Sequence, residues 1–168
     1  AAYGSAGERC MAISAVVTVG DIGDEFIAAV KERLPKVKVG PGTEPDNEMG
    51  PLITREHRDK VASYLDSGKE QGAEVVADGR ETAPDGDGFF LGVSLLDKVT
   101  PEMDAYKDEI FGPVLSVVRA GTYGEAIKLV NENQYGNGVA IFTRDGGAAR
   151  QFQHEVEVGM VGINVPIP

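Results

Sequence analysis

The chain has 168 residues, a formal net charge of −11 and a pI near 4.6, with 42% hydrophobic and 26% charged residues. That length suits one domain with a single sizeable core, and the composition excludes a disordered chain. The acidity repels phosphate backbones and no basic stripe offsets it, which argues against nucleic acid as a partner. No apolar run approaches the roughly 18 residues of a membrane span, so no membrane partner is expected either. The single cysteine, Cys10, rules out an intramolecular disulfide and suits a reducing compartment. With no export leader visible, the expected location is the cytoplasm, or the mitochondrial matrix in a eukaryote.

Residues 1–7 are small and predict the end of a helix, with Gly4 and Gly7 as breakers. Met11 to Val19 is rich in β-branched residues and predicts a buried strand, which places Cys10 where a small-residue loop meets a rigid element. Gly20 to Asp24 reads as a turn with Asp24 as N-cap. Phe26, Ile27, Val30 and Leu34 then recur at helical spacing until Pro35.

After a polar loop, Thr54 caps a helix running to about Gly68, with Val61, Tyr64 and Leu65 inward. Ala73 to Ala77 and Phe89 to Val99 read as extended, separated by the turn-rich Glu81 to Gly88. Pro101 to Tyr106 has room for one helical turn, and the unbroken apolarity of Pro113 to Val118 predicts a central strand. Tyr123 to Asn131 predicts a helix with Ala126, Ile127 and Val130 inward. A strand at Val139 to Thr143, a helix at Gly147 to Val156 and a strand at Met160 to Asn164 complete the series. Alternating strands and amphipathic helices imply an α/β domain, with a largely parallel, doubly wound sheet carrying helices on both faces. No metal-ligand spacing, internal repeat or phosphate-binding loop is present. The chain starts at Ala1 and stops directly after a strand-like segment, so a piece of a longer polypeptide is expected.

Four ordered stretches then carry a resemblance: Gly7-Glu8-Arg9-Cys10, Met49-Gly50-Pro51-Leu52-Ile53, Asp108-Glu109-Ile110-Phe111-Gly112-Pro113-Val114, and Tyr135-Gly136-Asn137-Gly138 running on to Thr143. Together they closely resemble the catalytic domain of the aldehyde dehydrogenase superfamily over all 168 residues. Arg9-Cys10-Met11 and Val161-Gly162-Ile163-Asn164-Val165-Pro166-Ile167-Pro168 look like its CoA-acylating branch, which acts on methylmalonate or malonate semialdehyde. The resemblance implies NAD as cofactor, coenzyme A as co-substrate, a separate NAD-binding domain absent from these residues, and a homo-oligomer.

It also implies roles. Cys10 is the nucleophile: a thiolate adds readily to a carbonyl, and the thioester it forms keeps the acyl group activated. A nearby cation or oriented N–H groups favour the thiolate, and the N–H of Cys10 itself is an oxyanion donor in the family. Arg9 is expected to grip the substrate carboxylate with its planar fork. Glu109, an acceptor only, is expected to take the ribose hydroxyls, and Phe111 to pack near the nicotinamide. Asn164 either lines the substrate tunnel or makes a strand-end hydrogen bond. Glu8 stands where many relatives carry glutamine, and its charge would oppose thiolate formation if it pointed inward, so it is expected to point away. His57 and His154 lie among charged neighbours on predicted helices and are expected to face solvent.

Two other readings compete. A hydrolytic aldehyde dehydrogenase would differ by a general-base glutamate outside these residues. A non-catalytic interaction domain would need none of Cys10, Glu109 and Phe111 together.

Overall fold

Val114–Ala120 (β4), buried at every residue but Arg119, is the strand on which the others assemble. In the computed structural model, which describes residues 1–167, it lies between Ala15–Val19 (β1) and Ser94–Val99 (β3), with Glu74–Ala77 (β2) at the edge in the order β1-β4-β3-β2. β1 and β3 both run parallel to β4, with Ala15 opposite Ser116 and Ser94 opposite Val114, whereas β2 is antiparallel to β3. The last two strands, Gly138–Ile141 (β5) and Met160–Ile163 (β6), pair in parallel as a separate two-stranded sheet. The expected α/β architecture with mainly parallel pairing is therefore present, with its strands divided between two sheets.

Five helices connect them: Gly23–Arg33 (α1), Arg55–Gln71 (α2), Asp104–Lys107 (α3), Tyr123–Glu132 (α4) and Gly146–Glu155 (α5). Successive residues of β4 face opposite ways. Arg119 reaches Asp24 of α1 on one side, while the Ser116 hydroxyl donates to the Ala105 carbonyl of α3 on the other. Helices thus cover both faces of the sheet. Val61, Leu65, Leu95, Leu96, Val99 and Val117 are among the driest residues of the core on the two faces of the sheet, each worth roughly 1.5–3 kcal/mol of burial.

Helix starts follow local chemistry. The Thr54 hydroxyl accepts the His57 N–H at 3.1 Å to open α2, and Gly72 closes it in a left-handed conformation at φ 107°. A reciprocal box of Thr122 and Glu125 opens α4. Asp24 is not the cap of α1: the helix begins at Gly23, so Asp24 falls inside its first turn and pairs with Arg119 at 2.7 Å instead.

Two further expectations give way. Residues 4–7 form a tight 3-10 turn, not a helix end, with Ser5 and Ala6 at φ 53° and 54°. β1 starts at Ala15 rather than Met11, because the preceding residues turn back on themselves through the Ala12 N–H to the Arg9 carbonyl at 2.9 Å. Pro168, the last residue of the C-terminal motif, lies outside the described residues.

Candidate active site

Cys10 sits on the exposed turn that precedes β1, with Arg9 exposed beside it. Three consecutive left-handed residues, Ser5, Ala6 and Gly7, turn the chain into this position. At Gly7, φ is 73° and the backbone lies flat against Gly112, where any side chain would overlap the Gly112 carbonyl oxygen. The thiol-bearing turn is thereby packed directly onto the segment that carries Glu109 and Phe111. From the other side, the Asn137 side-chain amide donates to the Cys10 carbonyl at 2.9 Å. All four motifs meet around this turn, the remaining one through the Ile53 N–H, which donates to the Glu8 carboxylate.

The 108–112 segment is docked on a single face of α2. Tyr64 donates its hydroxyl to Asp108 at 2.8 Å, and the His57 Nε2 lies 2.7 Å from the Phe111 carbonyl. Between them, Val61 packs so closely on Gly112 that a methyl group there would stand 2.5 Å from Val61 Cγ1. Residues 57, 61 and 64 share one stripe of a helix by their spacing. Ile110, 3% exposed, anchors the segment in the core while Glu109 and Phe111 on either side remain exposed. Phe111 stands at φ 57°, in the left-handed region that a bulky side chain rarely occupies.

Burial, then the hydrogen bond to Asp108, push the Tyr64 phenol up to about 12. The folded chain thus holds this proton more tightly than the unfolded chain, and the associated stability is complete below about pH 10 and lost as pH rises towards 12. Tyr64→Phe should cost about 1 kcal/mol in urea unfolding at about pH 8, with the difference from wild type narrowing at about pH 11. A constant difference across that range would contradict the assignment.

His57 corrects an expectation. Its side chain is only 25% exposed, and besides the Phe111 carbonyl it meets Glu8, whose Oε1 is 3.7 Å from Nε2. Glu8 itself is 9% exposed along its side chain and accepts the Ile53 N–H at 3.4 Å, next to the N-terminus of α2 where a carboxylate is favoured. His154, by contrast, is exposed on α5.

Asn164 spends both polar atoms on Thr143, accepting its N–H at 2.9 Å and donating to its carbonyl at 3.0 Å. The amide therefore ties the end of β6 to the segment following β5. Neither His57 nor Asn137 stood out in the sequence. Asn137 lay inside a motif without a role, and the signal for His57 was its placement four and seven residues before Val61 and Tyr64.

A cavity of about 670 Å³ lies elsewhere, between α4 and the sheet, lined by Tyr106, Val118 and Leu129 and not by Cys10, Glu109 or Phe111. The turn itself is open on the surface. The exposed Cys10 thiol, with Arg9 exposed next to it in sequence, and the exposed Glu109 and Phe111 on the adjoining loop make up the candidate site.

Comparisons with known proteins show the family. The model of the aldehyde dehydrogenase family matches residues 1–168, and the chain belongs to that family. Malonate-semialdehyde dehydrogenase of Pseudomonas aeruginosa is 57% identical over all of this chain and 34% of its own length. The crystal structure of methylmalonate-semialdehyde dehydrogenase from Oceanimonas doudoroffii superposes with a TM-score of 0.97 at 53% identity, over 100% of this chain and 35% of that one. A structure from Sinorhizobium meliloti, assigned as methylmalonate-semialdehyde dehydrogenase and complexed with NAD, gives 0.96 at 52% identity over 99% of this chain and 35% of that one. The chain thus spans about a third of the length of the relatives it matches.

Proposed function

We propose that this chain is the thiol-bearing part of an NAD-dependent, CoA-acylating dehydrogenase of methylmalonate or malonate semialdehyde. The observation that carries the reading is the packing of Gly7 on Gly112, which sets the Cys10 turn against the loop bearing Glu109 and Phe111. The names of the relatives favour the substrate class.

The residues present fit NAD: Glu109 offers an exposed, acceptor-only carboxylate suited to a ribose diol, and the partly exposed Phe111 ring offers an apolar face. When bound, NAD supplies the acceptor for the two electrons of the oxidation. Arg9 pairs with the carboxylate of the semialdehyde and aims its aldehyde at Cys10. The Cys10 thiolate forms a carbon–sulfur bond to the aldehyde carbon, and the backbone N–H of Cys10 donates to the developing oxyanion. Oxidation of that tetrahedral adduct leaves a thioester on Cys10. The substrate carboxylate leaves as carbon dioxide, a proton from solvent replacing it on the adjacent carbon, and the thiol of coenzyme A displaces the Cys10 sulfur to carry away propionyl or acetyl. In this reading Asn164 shapes the substrate wall by tying together the ends of the β5–β6 unit.

An NAD-binding domain and further subunits complete the site. Phe142, Met160, Val161 and Val165, exposed at 69%, 39%, 37% and 56%, support such contacts on and beside the β5–β6 unit. A lone exposed thiol suits the reducing interior of a cell.

The test is a single-turnover assay of the whole enzyme with malonate semialdehyde and NAD, with and without coenzyme A. Acetyl-CoA formed only when coenzyme A is present is the expected result. NADH with free acid released in its absence would assign the hydrolytic alternative, and a protein inert under both conditions would support an interaction domain.

A further inference from the structure

We propose that His57 is a positioning residue that holds the cofactor-facing loop in its working conformation. The inference rests on the roles given above to Cys10 and Phe111, and begins from a backbone that should not hold itself. Phe111 at φ 57° pays roughly 1–2 kcal/mol against the extended conformation, because its Cβ crowds the following carbonyl. Ile110 anchors the neighbouring residue in the core, but Gly112 on the other side has no side chain to hold Phe111 in this conformation. The restraint comes from α2.

The Phe111 carbonyl can only accept, so the 2.7 Å contact fixes the proton on Nε2 of His57 and makes the imidazole a donor. A peptide whose carbonyl is held in this way cannot rotate to relieve φ without breaking the bond. The same nitrogen lies 3.7 Å from the Glu8 carboxylate, two residues before Cys10. One ring therefore stands between the segment that carries the nucleophile and the segment that places the nicotinamide. Val61 against Gly112 and Tyr64 on Asp108 continue the same face of α2, so the loop is fixed at its start, its strained residue and its end. The tether at Phe111 is the one that sets the direction of the ring.

The experiment compares the whole enzyme with its His57→Ala and His57→Gln variants, glutamine retaining an N–H donor on a side chain of similar reach. In amide hydrogen exchange of the NAD-free proteins, His57→Ala should speed exchange of the 109–114 segment about tenfold or more, and His57→Gln should restore most of the protection. In steady state, His57→Ala should raise KM for NAD about tenfold while kcat falls less than about threefold, because the loop then contributes less to binding in ground and transition states alike. Carboxymethylation of Cys10 without NAD should change less than about twofold, separating loss of the tether from general loosening.

Unchanged exchange and KM in His57→Ala would overturn the proposal, as would a His57→Gln protein impaired as badly as the alanine variant. Should the wild-type enzyme show no NAD-dependent turnover, the functional reading fails and the role at the nicotinamide fails with it. The exchange data would then report the brace alone.

Discussion

Replacing Cys10 with alanine lowers NADH production by about ten-thousand-fold or more while leaving NAD affinity within about twofold of wild type. The size of the loss follows from the chemistry. An aldehyde bound without a nucleophile forms no tetrahedral adduct, and nothing else on the exposed turn can replace sulfur: the neighbours are Arg9 and Met11, neither of which adds to a carbonyl. The insensitivity of NAD binding follows from the architecture. Glu109 and Phe111 belong to a loop fixed by α2 and Ile110, and the Cys10 side chain supports none of those contacts. The fold should be preserved as well, because Cys10 is exposed and its backbone, which Asn137 binds, is unchanged by the substitution. Equilibrium NAD titration beside a stopped-flow measurement of NADH separates the two quantities. Residual turnover within about tenfold of wild type would remove Cys10 from the mechanism.

Gly7→Ala is expected to be the most damaging change outside the reacting groups. A Cβ there overlaps the Gly112 carbonyl, which is backbone and cannot swing aside, and φ of 73° adds the left-handed penalty. Overpacking and the backbone conformation together cost roughly 3 kcal/mol. The chain can relieve the clash only by lifting the Cys10 turn off the 108–112 segment, so destabilisation and loss of activity should appear together. Urea unfolding and kcat/KM measured on one preparation test this. A Gly7→Ala protein with wild-type stability and activity would mean that the close approach of Gly7 and Gly112 is dispensable.

Much of the fold is legible in the sequence because its signals are local. Thr54 announces the start of α2, Val61, Tyr64 and Leu65 declare its buried face, and the unbroken apolarity of residues 113–118 marks the strand with neighbours on both sides. Errors arise where distant partners decide. Met11 and Ile13 have strand-like composition, yet the β1 ladder begins at Ala15 because residues 9–12 are bent into the turn that presents the thiol. Asp24 has the right chemistry for a cap, but Arg119, ninety-five positions later, draws it into an ion pair.

The separation of the last two strands into their own sheet is hidden for the same reason, since strand composition carries no record of which strand is the partner. Of the proposed site, Cys10, Arg9, Glu109 and Phe111 are picked out by the motifs that carry the resemblance. His57 is not, because it recognises a backbone carbonyl, and any residue type at the accepting position would look the same from a distance.

The bond from Asn137 to the Cys10 carbonyl spans 127 residues of chain, and that from His57 to the Phe111 carbonyl spans 54. Closing such loops costs entropy that grows with their length, so long-range contacts of this kind are slow to accumulate. During synthesis from the N-terminus, Cys10 leaves the ribosome well before the asparagine that braces its turn, which follows 127 residues later. The Cys10 turn is thus made before the residue that braces it. Until that asparagine is made, the turn that carries the sulfur lacks one of its two flanking supports.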